Sequence, residues 1–151
     1  MKIELIKLKF NNTHSYKYKP FTICCNEIQN DKAIVFTGED IVGEYDDGVC
    51  IPRFCTSYTE VITSWDNEFE QTDNYPTQFC PHCGEKIEIE VVDEIDVSEK
   101  YDALTKRCED LWKKCQRTDS KKEESELRMQ VRKLDNQIND FYELGEWKGE
   151  Y

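Results

Sequence analysis

Apolar residues alternate with period two through the first part of the chain and recur every three or four positions after Ile95. The pattern therefore predicts short strands followed by helices. In residues 1–10, Ile3 and Leu5 share one parity and Ile6, Leu8 and Phe10 the other, with lysines between them. That reads as a strand with a register change or bulge near Leu5-Ile6. Tyr16 to Cys25 alternates again, with Phe21, Ile23 and Cys25 on one side, and Pro20 fits an edge position. A turn at Asn30-Asp31 then leads into Ala33 to Thr37 as the partner strand of a hairpin. Ile41 to Tyr45, Val49 to Ile51 and Tyr58 to Thr63 are further short strands by the same pattern. Asp66 to Gln78 is polar, acidic and closed by Tyr75-Pro76, which predicts a loop. Trp65, Phe69 and Tyr75 in or beside it would pin it to the core or meet a partner.

The helical part opens at Asp96-Val97-Ser98-Glu99, spaced as a capping box. Tyr101, Leu104, Cys108, Leu111 and Cys115 form one apolar seam, and Leu127, Val131, Leu134, Ile138 and Phe141 form a second. Thr118-Asp119-Ser120 separates them, Ser120 and Glu123 repeat the capping spacing, and Gly145 supplies a stop after Leu144. So short a connection folds two helices back antiparallel, seam against seam. Cys108 and Cys115 then serve as small apolar seam residues. The expected fold is α+β: a small antiparallel β domain followed by an antiparallel two-helix hairpin. The boundaries are 1–96 for the β domain, 97–144 for the hairpin and 145–151 for a C-terminal tail. Ten seam side chains bury too little to hold such a hairpin alone, so it should dock on the β domain, form a homodimer or bind another protein.

Charge refines this picture. Residues 1–38 hold six lysines and three acids, residues 39–99 hold two basic and seventeen acidic residues, and residues 100–151 hold twelve of each. The middle of the chain is thus an acidic block in an otherwise balanced sequence. Phosphate backbones are bound through Lys and Arg, so nucleic acid is disfavoured as a partner. The block is either a solvated face or a surface that meets a basic partner or imitates nucleic acid. No run approaches the roughly 18 apolar residues of a membrane span. Eight cysteines without a secretory leader fit a reducing, cytoplasmic setting.

The chemistry concentrates in Phe79-Cys80-Pro81-His82-Cys83-Gly84-Glu85-Lys86-Ile87. Two thiolates two residues apart can hold one tetrahedral ion, because the turn aims both sulfurs and several N–H groups inward. Gly84 suits the positive φ needed just past such a turn. A redox pair would open a helix, but Lys86 to Val91 alternates as a strand. A closed zinc site needs four ligands, so two must come from Cys24, Cys25, Cys50 and Cys55. Consecutive side chains on a strand face opposite ways. Geometry therefore favours one of Cys24 and Cys25 plus Cys50 or Cys55, unless the chain bends.

Cys24-Cys25-Asn26-Glu27-Ile28, taken with the Cys80 to Ile87 stretch, resembles the two halves of small, largely uncharacterised zinc-ribbon-like proteins of bacteria and their phages. The resemblance implies Zn2+ held by Cys24, Cys25, Cys80 and Cys83. Cys50 and Cys55 are the substitutes, iron remains an alternative to zinc, and His82, where the family has an aromatic residue, either ligates or packs. No catalytic constellation is visible: His14 and His82 are the two histidines, and no Gly-rich phosphate loop or zinc-hydrolase motif occurs. The expectation is a zinc-stabilised protein-binding module, not an enzyme, encoded by a phage or bacterium and regulating or inhibiting a host protein. Two alternatives are an acidic nucleic-acid mimic that blocks a host nuclease or polymerase, and a zinc protein that binds nucleic acid through Lys-rich residues 1–19.

Overall fold

The computed structural model describes residues 1–44 and 50–144. It is mixed α and β, with two three-stranded sheets followed by two helices at the C-terminal end. In the first sheet, β1 (Lys2–Phe10) lies between β2 (Thr13–Tyr18), antiparallel to it, and β6 (Glu88–Asp96), parallel to it. In the second sheet, β4 (Arg53–Ser64) lies between β3 (Ile34–Thr37) and β5 (Asn67–Pro76), all antiparallel. The parallel β1–β6 pair departs from the all-antiparallel expectation. Its two strands lie far apart in the chain, so local pattern carries no signal of their direction.

The change of parity within β1 has a tertiary cause. Pairing with β2 is regular from Leu5 through Phe10, while pairing with β6 shifts between Leu5 and Ile6, leaving Val92 as the extra residue. The bulge is thus on the partner strand, at the position where β1 changes its buried face. Ile3, Leu5 and Tyr16 join the core shared with the second sheet, which includes Phe36 and Phe54. Phe10 instead packs against Tyr101, Phe141 and Tyr142. Ser15, on the face of β2 that follows Leu8, donates to the Phe141 carbonyl, and Lys17 donates to that of Glu143. One strand therefore serves two cores, one on each side of its sheet.

Several local expectations are corrected. Tyr16 to Cys25 is not one strand: β2 ends at Tyr18, and Cys25 instead precedes a short helix, α1 (Asn26–Asn30). Proline at 20 ends the ladder, because it has no N–H to donate. β3 pairs with β4, not with the segment before it. Residues 66–78 are mostly strand β5, since pairing with β4 over ten positions overrides their polarity. Ile41 makes a single bridge to Asn74, residues 50 and 51 are not strand, and the rest of those two expected strands includes residues 45–49, outside the described residues. Asn74 holds the 39–42 segment against β5, donating from its side chain to the Glu39 carbonyl at 2.8 Å and exchanging backbone bonds with Asp40 and Val42.

The last helices are α2 (Ser98–Arg117) and α3 (Lys121–Tyr142). Asp96 accepts from Ser98 N–H at 2.9 Å, one residue short of the expected box, so Val97 takes the cap position. Ser120 caps α3 by accepting from Glu123 N–H. All ten predicted seam residues are buried or half-buried. Tyr101 meets Tyr142 at 2.5 Å, Cys108 donates to Asp135 at 3.1 Å, and Cys115 reaches the Glu124 carbonyl at 3.9 Å. These pairs step in opposite directions along the two helices. α2 touches β1 and α3 touches β2. Burial and the Asp135 carboxylate push the Cys108 thiol up to about 11, which makes it an inert seam residue. α3 ends at Tyr142, and Gly145 lies outside the described residues.

Candidate metal centre

Two backbone bends place four sulfurs together. The first follows β2: the chain turns at Cys24, Cys25 is extended with φ −161°, and α1 begins at Asn26. This is the bend that lets neighbouring cysteines serve one ion. The Cys25 sulfur accepts a hydrogen bond from the Ile28 N–H. The second bend is the Cys80–Gly84 turn. Gly84 N–H donates to the Cys80 carbonyl at 2.9 Å and Cys80 N–H to the Glu85 carbonyl at 2.8 Å, while Phe79 bridges Lys86.

Gly84 has φ +75°, and a Cβ added there would meet nothing within 4 Å. Its requirement is therefore conformational: Gly84→Ala should destabilise the protein by roughly 1–2 kcal/mol, the cost of a left-handed non-glycine residue. Chemical denaturation measures this. An unchanged midpoint would show that the turn tolerates a side chain.

The sulfurs of Cys24, Cys25, Cys80 and Cys83 all lie within 4.8 Å of one another, and those of Cys25 and Cys80 are 3.6 Å apart. A tetrahedron of sulfurs with metal–sulfur bonds of about 2.3 Å has edges of about 3.8 Å, so this spacing fits one ion. It is too long for a disulfide, whose S–S bond is about 2.05 Å. Cys80 is 2% exposed and Cys25 9%, and both belong to the core cluster with Ile3, Leu5 and Ile87. Cys24 is half-buried and Cys83 exposed, so the cluster faces the core on one side and solvent on the other.

Its electrostatics favour a cation. Burial pushes the Cys24 thiol well above its ordinary value, and hydrogen bonding with Cys80 and Cys83 adds to the rise. Burial likewise raises Cys25, against the Ile28 N–H. Burial also acts to raise Cys80, but the N–H groups of Cys83 and His82 donate to its sulfur and bring it down to about 7. The two N–H groups thus favour a thiolate at Cys80, and a divalent ion held here would displace the protons of its ligand thiols.

The cluster also has a structural position. Its first pair follows β2 and its second pair leads into β6 through Ile87 N–H, bonded to the Gln78 carbonyl at 2.9 Å. β2 and β6 flank β1, so an ion here ties together the two outer strands of the sheet.

The substitutes lie elsewhere. Cys55 is fully buried beside the Arg53 carbonyl at 3.6 Å, and burial pushes its thiol up to about 11. Cys50 is half-buried and outside the four-sulfur group. His82 turns from the sulfurs, its Nε2 lying 3.1 Å from Asp31 Oδ2. That contact spans the two bends, because Asp31 directly follows α1. Sequence reading missed both α1 and the Asp31 contact, since five residues are too few to show a helical period.

The chain matches no protein-family model, and no curated protein or solved structure matches it. No helix among the described residues is long and apolar enough to cross a membrane.

Proposed function

We propose that the chain is a zinc-stabilised protein-binding module. The observation that carries this reading is the four-sulfur cluster at the edge of the core, between the end of β2 and the start of β6. Zinc bound by Cys24, Cys25, Cys80 and Cys83 is redox-inert, and with four protein ligands it offers no open position for substrate, so its contribution is folding energy. The zinc-ribbon-like resemblance belongs to the same proposal, as does a helical hairpin that adds an accessory face to the β domain. Binding is favoured over catalysis because His82 is engaged with Asp31 and His14 packs edge-on against Tyr16 at 5.4 Å. The acidic stretch 39–99 favours a basic protein partner over nucleic acid, in keeping with a phage- or bacterium-encoded regulator or inhibitor of a host protein. It also supports a second reading, mimicry of nucleic acid.

Cobalt titration of the metal-free protein tests the centre. One equivalent should bind, with the visible bands of tetrahedral cobalt and thiolate charge transfer; weak, octahedral binding would overturn it. Affinity capture from a bacterial lysate tests the binding role, with one stoichiometric partner expected. Mimicry predicts loss of that partner at high salt, whereas an apolar contact persists.

A further inference from the structure

The β4–β5 hairpin continues well beyond the body of the second sheet. β3 pairs with β4 only from Arg53 to Thr56, but β4 and β5 stay paired from Cys55–Pro76 to Ser64–Asn67. From Tyr58 to Gln71 no residue is buried. The result is a two-stranded arm whose end has both faces open, and it carries apolar side chains that an unpartnered arm has no reason to display. Tyr58, Val61, Phe69 and Tyr75 are exposed, and Trp65 at the tip is 102% exposed.

Register sorts these side chains. Tyr58 lies opposite Asp73, Glu60 opposite Gln71 and Ile62 opposite Phe69, so all six share one face. Aromatic rings and carboxylates are therefore interleaved on a single surface. Glu60, Asp66, Glu68, Glu70 and Asp73 have no cationic partner among the described residues, and residues 54–85 contain no Lys or Arg. In the first sheet and on α3, by contrast, several acids are paired: Glu4 with Lys19, Glu94 with Lys9 and Glu124 with Arg128.

The tip adds an independent observation. Trp65 occupies the two-residue turn with φ +35°. Such turns ordinarily place Gly, Asn or Asp in left-handed positions, and a bulky residue there is strained by about 1–2 kcal/mol. Among the described residues nothing rewards this strain, because the indole is fully exposed. Strain held without a structural return points to use outside the fold.

We infer that the β4–β5 arm is the docking element of the module, and that its partner is a protein segment carrying arginines beside apolar side chains. The guanidinium group stacks on aromatic faces while pairing with carboxylates, which an ammonium does less well. A second copy is a poor occupant, since two arms with five unpaired acids each would repel. This inference rests on the protein-binding reading and assigns it a surface and a partner chemistry.

The test selects binders to the zinc-loaded full chain from a displayed library of random 12-residue peptides. Affinities of the enriched peptides are then measured for the parent and for the double variants Tyr58→Ala/Phe69→Ala and Glu60→Gln/Asp73→Asn. All four positions are exposed or half-exposed, so metal content and melting should not change. The expected result is enrichment of Arg together with apolar residues, and at least tenfold weaker binding by each double variant. Peptides lacking Arg, no enrichment, or equal binding by the variants would overturn the inference, as would arm-dependent dimerisation in sedimentation. Peptides that ignore the arm but are lost on Trp112→Ala would move the docking site to the helices and leave the binding-module reading standing. Failure of that reading would appear separately, as absence of any captured partner.

Discussion

Cys80→Ser should abolish tight metal binding and unfold the β sheets. Cys80 is the most buried of the four cysteines, and two N–H groups already point at its sulfur. A serine hydroxyl there would be a poor zinc ligand and a polar group within the core cluster. Zinc bound by cysteines contributes an apparent 10–16 kcal/mol or so to folding at neutral pH, comparable to or larger than the roughly 5–15 kcal/mol net stability of an ordinary domain. Losing most of it should leave no cooperative transition for the β part. Metal analysis and circular dichroism report the two losses together. Cys55→Ser is the control: it buries a hydroxyl at a cost of about 1–3 kcal/mol, but should keep the full metal content because its sulfur lies outside the cluster. Were Cys80→Ser to keep both metal and melting temperature, the centre would not hold the fold.

The second large effect is expected at the other core. Phe10→Ala should destabilise the protein by about 3–5 kcal/mol, the usual cost of removing a fully buried phenylalanine ring. Its ring is 0% exposed and lies 4.9 Å from Tyr101, 5.9 Å from Phe141 and 4.9 Å from Tyr142, centroid to centroid. It is thus the main apolar link between β1 and both C-terminal helices. The loss should fall on that junction and spare the four-cysteine cluster, which packs with Ile3 and Leu5 on the opposite face of the sheet. Limited proteolysis would show earlier cleavage within residues 98–142 than in the parent, at unchanged metal content. Equal protection of the helices would mean that the Ser15 and Lys17 hydrogen bonds to the end of α3 hold them without the ring.

The Cys80–Gly84 turn and the helices are legible in the sequence for different reasons. Cys80 and Cys83 are close in sequence, so a local turn rule applies to them directly. The heptad spacing of Leu127, Val131, Leu134 and the other seam residues is likewise local, and all of them lie inward. The first cysteine pair was harder. Periodicity extended the strand through Cys25 and would have split the two sulfurs between opposite faces, whereas Pro20 and the short α1 turn the backbone there. The polar, acidic stretch Asp66 to Gln78, closed by Tyr75-Pro76, predicts a loop. Its strand comes from pairing with β4, in which polar pairs such as Thr59 and Thr72, hydroxyls 2.9 Å apart, meet across the ladder.

By itself, then, the sequence determined what depends on neighbours within a few residues: the two helical periods, the Ser120 cap, the Cys80–Gly84 turn and the place near Leu5-Ile6 where the pairing changes. The tertiary structure decided what depends on chain segments far apart. It set β6 parallel to β1, gave β1 a separate core on each face, brought Cys24 and Cys25 to Cys80 and Cys83, and extended β4 and β5 into an open arm. The physical reason is that side-chain period and turn geometry are properties of the local backbone, whereas strand direction, sheet order and the meeting of distant sulfurs follow from which surfaces the whole chain can bury together.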